Sequence, residues 1–381
     1  MPPTLADLSP NLAGVTCFAC NKPHDPRQLL TVCTACGMPL RVDYDLTGVD
    51  LELSDLRGRP ASLWRYREVL PLHETSAVSL GEGFTPLLEV ERHVWVKDEA
   101  QNPTGSFKAR GMTLAVSMAK FLGARALHAP SAGNAAGALA AYGARGGLPV
   151  TVAMPDDTPA PFFRECELYG AEIHRVKGTI ADAGRLLREK GLADSFDVST
   201  LREPYRIEGK KTMAYELVEQ MEGDVPDVVI YPTGGGTGLV GMWKAFGEME
   251  RLGWIPAGRR PRFVCVQAAG CAPVVKGFRE GAERTEPWPD ASTRAYGLRV
   301  PSPLGGFICL RVLRESGGTA IAVTDEDAEK GTRQLASRSG IDVCPEGGAA
   351  WAALATLREQ RFVRPGDKVV VFNTGTGLKY R

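Results

Sequence analysis

The stretch Asn102-Pro103-Thr104-Gly105-Ser106-Phe107-Lys108-Ala109-Arg110-Gly111 decides how this chain is read. Proline, threonine and glycine in succession favour a turn, and Gly111-Met112-Thr113-Leu114-Ala115-Val116 reads as the opening of a helix. One lysine, Lys108, is thereby delivered to a helix start. An isolated loop lysine is ordinarily a solvated surface charge. Here two more glycine-rich elements follow in order, Ser131-Ala132-Gly133-Asn134 and Pro232-Thr233-Gly234-Gly235-Gly236-Thr237-Gly238. Packing alone does not account for three such elements in one chain.

Outward from that segment, short β-branched or apolar runs alternate with helical stretches from about residue 94 onward. The runs are His93-Val94-Trp95-Val96, Pro149-Val150-Thr151-Val152-Ala153-Met154, Asp227-Val228-Val229-Ile230-Tyr231, Phe263-Val264-Cys265-Val266 and Lys368-Val369-Val370-Val371-Phe372. This alternation predicts an α/β fold, with parallel sheets covered by helices on both faces. Ligands of such sheets bind beyond the carboxyl ends of the strands. Pro232–Gly238 follows one run directly, and Asn373-Thr374-Gly375-Thr376-Gly377 follows another. Both loops are expected at that mouth. There is no internal repeat, low-complexity tract or long linker, and Glu286-Pro287-Trp288-Pro289-Asp290 reads as a surface loop.

At 381 residues the chain is long enough for two modest domains or one large one. Lys plus Arg and Asp plus Glu both number 45. A net charge of zero gives no electrostatic reason to expect nucleic acid or an anionic membrane as partner. No stretch approaches the roughly 20 apolar residues of a membrane span. The start, Met1 to Leu8, has neither a basic nor an apolar leader region. The chain reads as cytoplasmic.

Four of the nine cysteines form Cys17-x2-Cys20 and Cys33-x2-Cys36. Two such pairs supply the four thiolates of a tetrahedral zinc site, and Pro23, Gly37 and Pro39 suit tight turns beside them. Two disulfides would be out of place in a reducing cytosol, and a redox Cys-x-x-Cys would not need two copies. A closed four-thiolate shell predicts a structural metal. Cys166, Cys265, Cys271, Cys309 and Cys344 are isolated and read as buried core residues.

A lysine amine condenses with an aldehyde cofactor when its loop holds it there. The cofactor phosphate then needs a cradle of backbone N–H groups. Glycines at 234, 235, 236 and 238 permit close approach, and a helix from Leu239 adds its positive end. Gly-Gly-Gly-Thr-Gly lacks the Lys-Ser/Thr ending of a P-loop. No acidic residue at a suitable spacing supports NAD.

On these residues the chain resembles the threonine synthase branch of the fold-type II (tryptophan synthase β-like) pyridoxal-phosphate enzymes. The likeness extends over nearly all of it: the paired cysteines, Ser79-Leu80-Gly81-Glu82-Gly83-Phe84-Thr85-Pro86-Leu87, Asn102–Gly111, Ser131–Asn134, Pro204–Thr212 and Thr374-Gly375-Thr376-Gly377-Leu378-Lys379. The resemblance implies pyridoxal 5'-phosphate as cofactor and a homodimer. It implies that Lys108 holds the cofactor covalently and moves protons, and that Asn134 bonds its phenolic oxygen. Gly234, Gly235, Gly236, Thr237 and Gly238 would bind its phosphate. Thr374 would meet the pyridine nitrogen with a neutral hydroxyl, favouring elimination over racemisation. Ser106, Ser131, Gly133, Asn134, Glu203 and Lys210 would serve the substrate. The expected architecture is a zinc-ribbon-like module over 1–50 and two open parallel-sheet domains. The large cofactor-binding domain is expected over 51–110 with 205–381, and a small mobile substrate-binding domain over 111–204.

The sequence departs from the branch at Ala109, where aspartate is usual, and at Glu203, where asparagine is usual. Cys166 and Glu172, around the Tyr169-Gly170-Ala171 turn, replace an expected serine and basic residue. A carboxylate about 5 Å from a phosphate charge costs about 3 kcal/mol at an effective dielectric near 20. If Glu203 and Glu172 line the distal pocket, an unphosphorylated substrate is favoured. Three readings stay open: conversion of O-phosphohomoserine and water to threonine and phosphate, an ammonia-lyase, dehydratase or β-replacement reaction on a threonine- or serine-like amino acid, and a catalytically silent zinc-ribbon binding protein. The end at Arg381, directly after the last cofactor element, is read as lacking an appended regulatory domain.

Overall fold

The computed structural model describes residues 8–192 and 194–381. The stretch read for a leader, apart from Leu8, lies outside them. In chain order the elements are β1 (Leu12–Cys17), β2 (Pro23–His24), β3 (Leu40–Tyr44), β4 (Leu87–Glu91), β5 (Val94–Asp98), α1 (Lys108–Phe121), β6 (Ala126–Pro130), α2 (Asn134–Gly146), β7 (Val150–Pro155) and α3 (Ala160–Leu168). There follow β8 (Glu172–Val176), α4 (Ile180–Glu189), β9 (Ser195–Asp197), α5 (Tyr205–Gln220), β10 (Val228–Pro232) and α6 (Thr237–Arg251). The chain closes with β11 (Arg262–Ala268), α7 (Pro273–Arg279), α8 (Gly306–Glu315), β12 (Thr319–Val323), α9 (Asp325–Ser339), α10 (Pro345–Glu359) and β13 (Val369–Asn373).

Two compact units emerge. The first runs to Phe84 and includes Asn102–Thr104 and Lys108–Thr212. It holds an antiparallel three-stranded sheet, β2-β1-β3, and a four-stranded sheet, β8-β7-β6-β9, whose paired strands all run parallel. The second comprises Thr85–Gln101, Gly105–Phe107 and Met213–Arg381, with the six-stranded sheet β12-β11-β10-β13-β5-β4. Its core packs Val228, Ile230, Val264, Val266, Val369 and Val371, all at most 1% exposed, against apolar residues of α9 and α10. Central parallel strands buried on both faces read as continuous apolar runs.

The sheets are those expected of an α/β fold, with one correction. The six-stranded sheet is mixed, because β4 runs antiparallel to β5. Only Arg92 and His93 link these strands, His93 with φ of 64°. So short a link joins antiparallel strands, since a parallel pair needs a crossover. Among the described residues no helix is long and apolar enough to cross a membrane.

Candidate active site

The quoted segment folds as a strained turn that hands the chain to α1. Thr104 and Gly105 have φ of 60° and 62°, and α1 begins at Lys108, which is half-buried. In the second unit, residues 105–107 are stitched to the loop after β13. Ser106 and Gly375 form an antiparallel bridge, the Phe107 amide donates to the Thr374 carbonyl at 3.1 Å, and the Thr376 amide donates to the Gly105 carbonyl at 2.9 Å. The Phe107 ring stands edge-on to Tyr231, which stands edge-on to Phe372. Ser106 and Thr374, far apart in sequence, are thus brought together. The Thr374 hydroxyl lies 3.7 Å from the buried Cys344 sulfur, and Asn373 is held by Asp98 at 2.8 Å.

The glycine loop joins β10 to α6, and α6 starts at Thr237, two residues before the expected Leu239. Gly236 caps the helix with φ of 86° and no side-chain cap. A Cβ on Gly234 would stand 2.2 Å from the Gly297 carbonyl oxygen, one on Gly236 2.3 Å from the Cys309 sulfur, and one on Gly238 2.0 Å from the Tyr231 hydroxyl. Packing enforces glycine at these three positions. A helix start with no side-chain cap suits an anion, so the residues present fit a cofactor phosphate.

In the first unit the loops after β6 and β9 leave the same carboxyl edge from neighbouring strands. Ser131 braces its loop: its hydroxyl donates to the Gly133 carbonyl at 3.2 Å and accepts from the Ala136 amide at 3.1 Å. Asn134 opens α2 and is half-buried. Beyond β9, Glu203 is 1% exposed and accepts from the amides of Tyr205 and Arg206 at 2.7 and 3.0 Å, capping α5. Burial pushes its carboxyl up to about 7, against the pull of Arg206, the two amides and Lys210. Burial also carries the Lys210 ammonium well below the usual lysine range, aided by the charges of Arg206 and Lys108 and opposed by Glu203.

Glu172 is not part of this group. It opens β8 opposite Thr151, while Ser131 follows Pro130, which pairs with Ala153. It therefore sits toward the amino edge of the sheet, exposed, with His174 at 3.0 Å. The condition that Glu172 and Glu203 together line one pocket is not met. The first is at the wrong edge of the sheet, and the second is committed to a helix cap.

Two residues at this edge were not assigned as site residues from sequence, Arg206 having entered only as a cation able to offset the nearby carboxylates. Arg206 is 2% exposed; its Nη1 donates to the Val198 carbonyl at 2.8 Å, while Nε and Nη2 are buried and meet no acceptor among the described residues. Thr158, after β7, has a buried hydroxyl with no partner among the described residues. Thr158 lies just beyond the end of β7, and Arg206 is the second residue of α5, within the Pro204–Thr212 element; these positions were the available signals.

The sulfurs of Cys17, Cys20, Cys33 and Cys36 all lie within 4.8 Å of one another. Cys17 and Cys36 are 3.5 Å apart, and Cys20 and Cys33 3.6 Å. A disulfide would need about 2.05 Å, whereas sulfurs around a zinc ion at about 2.3 Å stand roughly 3.8 Å apart. Two copies of one turn build the group. The Asn21 amide donates to the Cys17 carbonyl and the Gly37 amide to the Cys33 carbonyl, with φ of 55° at Asn21 and 70° at Gly37. The Ala19 and Ala35 amides donate to the sulfurs of Cys17 and Cys33 at 3.3 and 3.4 Å. The donor set fits a thiophilic metal. The five other cysteines are buried, as expected.

The fold resembles maize serine racemase, with a TM-score of 0.67 at 21% identity over 77% of this chain and 88% of that one. It also resembles a pyridoxal 5'-phosphate-dependent aspartate racemase, with a TM-score of 0.65 at 23% identity over 77% and 90%. The family described as "Pyridoxal-phosphate dependent enzyme" matches residues 78–375. In sequence, the chain is 36% identical to threonine synthase of Methanocaldococcus jannaschii over 95% of its own length and 92% of that protein. It is 33% identical to threonine synthase of Methanosarcina acetivorans over 95% and 91%. The fold and site thus define a fold-type II pyridoxal-phosphate enzyme, and the chain belongs to the threonine synthase family within that class.

Proposed function

We propose that this chain converts O-phosphohomoserine and water to threonine and inorganic phosphate. The observation that carries the reading is Arg206. A buried guanidinium with two N–H-bearing nitrogens that meet no acceptor among the described residues is costly unless a ligand satisfies it, and a phosphate ester is the matching group. Relatives named threonine synthase, similar over nearly the whole chain, support the same choice.

Pyridoxal phosphate, when bound, supplies the electron sink that acidifies the carbons of an amino-acid substrate. Lys108 would hold it and move protons at its Nζ, and Gly234 to Gly238 would bind its phosphate. Thr374 would offer its hydroxyl to the pyridine nitrogen, and Asn134 its amide to the phenolic oxygen. Ser106, Ser131, Gly133 and Asn134 would orient the substrate carboxylate. Arg206 and Lys210 would receive the distal phosphate, with Glu203 setting their charge. Residues 111–204, in the first unit, are assigned the mobile substrate-binding part, and 213–381, in the second, the cofactor-binding part; 51–84 and 205–212, expected with the cofactor-binding part, cluster in the first unit instead. The four-cysteine module over 1–50 is assigned a structural zinc ion, supported by the sulfur spacing. We read the protein as a cytoplasmic homodimer. Phosphate release on a panel of phosphorylated and unphosphorylated amino acids tests the reading; ammonia and 2-oxo acid without phosphate would replace it with an ammonia-lyase.

A further inference from the structure

Helix α5 is gripped from one side by the cysteine-bearing module. Tyr44 ends β3, in the same small sheet as Cys17, and is 4% exposed. Its hydroxyl donates to Glu208 Oε2 at 2.9 Å. The Lys211 ammonium pairs with the same carboxylate at 2.7 Å, both side chains fully buried, and lies 3.9 Å from the centre of the Tyr44 ring. A second tether is the Tyr205 hydroxyl, which donates to the carbonyl of Pro26, just beyond β2, at 3.4 Å.

An α-helix advances about 100° per residue. Tyr205, Glu208 and Lys211 therefore share one face, and Arg206 and Lys210 share the opposite one. That opposite face meets α1 closely. A Cβ on Gly111 would lie 3.1 Å from Lys210 Cε and 3.2 Å from the Arg206 carbonyl oxygen, and one on Gly209 1.7 Å from the Arg110 carbonyl oxygen. With so little space between the helices, a small rotation of α5 would displace Arg206 and Lys210 directly.

We propose that Tyr44 is a positioning residue for the reaction: by holding the Glu208–Lys211 face of α5 it sets the rotation of that helix and hence the placement of Arg206 and Lys210. The cysteine-bearing module is then a working support of substrate recognition. The proposal rests on the reading that these two cations receive the substrate's phosphate.

The test is Tyr44→Phe, which keeps the ring and the Lys211 contact and removes only the hydroxyl. In the full chain with cofactor bound, KM for O-phosphohomoserine should rise roughly three- to tenfold with kcat nearly unchanged. Amide hydrogen exchange should quicken across residues 205–212 and stay unchanged in the glycine loop at 234–238. Tyr205→Phe, removing the Pro26 tether, should shift both readouts in the same direction. An unchanged KM, unchanged exchange at 205–212, or faster exchange spread evenly along the chain would overturn the proposal. If the unmodified protein releases no phosphate, the functional reading fails by itself, and the exchange measurement alone decides whether Tyr44 positions α5.

Discussion

Ser106 and Gly375 form an antiparallel bridge that fastens the turn before Lys108 to the loop bearing Thr374. The neighbouring Gly105 makes the fastening possible. Its φ is 62°, and a Cβ there would stand 2.7 Å from Thr376 Cγ2. Gly105→Ala adds about 1–2 kcal/mol of backbone strain to that clash. Cofactor affinity measured by equilibrium titration should fall at least about tenfold. An affinity equal to that of the unmodified protein would show that the bridge does not organise the site.

Lys108→Ala should lower turnover by three orders of magnitude or more, roughly, because one amine carries both covalent attachment and proton transfer. Thermal unfolding should move little, since Lys108 is only half-buried. Steady-state turnover near the unmodified rate in this variant would remove Lys108 from the mechanism.

Elemental analysis of carefully reduced protein should find about one zinc per chain, as four converging sulfurs imply. Cys33→Ser should lower the unfolding temperature while leaving the visible spectrum of the bound cofactor unchanged. A metal-free protein of full stability would rule out a structural ion here.

Glu203 gives a pH signature. Its folded-state carboxyl sits at about 7, above the usual glutamate value, chiefly through burial. A raised pKa contributes stability that is fully present below the unfolded value and lost as pH rises through the folded one. The window therefore runs from about 4.5 to about 7, and the loss is on the order of 3 kcal/mol. Glu203→Gln keeps an acceptor for the Tyr205 and Arg206 amides and should remove this slope from urea unfolding measured across the window. An unaltered slope would mean that Glu203 does not titrate in this range.

Much of this was legible in the sequence because the signals were local. The turn before Lys108, the paired cysteines and the glycine loop each announce themselves within a few residues. The strands β5, β7, β10, β11 and β13 coincide with apolar runs, since each is largely buried. Others left no such mark: β8 begins with Glu172 and has no fully buried residue, and β9 has three residues. The antiparallel placement of β4 depends on a two-residue link and not on composition. The role of Glu203 was hidden because a carboxylate reads alike whether it lines a pocket or caps a helix. Only the amides of Tyr205 and Arg206 distinguish the two. Arg206 needed the fold to show that its Nε and Nη2 lack acceptors among the described residues.

The central claim is that Arg206 equips this family member for a phosphorylated amino acid. The most direct measurement is inorganic phosphate and threonine formed from O-phosphohomoserine by the cofactor-loaded protein, compared with Arg206→Leu. Stoichiometric phosphate and threonine are expected, with kcat/KM lower by a hundredfold or more, roughly, in the variant. Absence of phosphate release by the unmodified protein, with ammonia and a 2-oxo acid formed from threonine or serine, would contradict it.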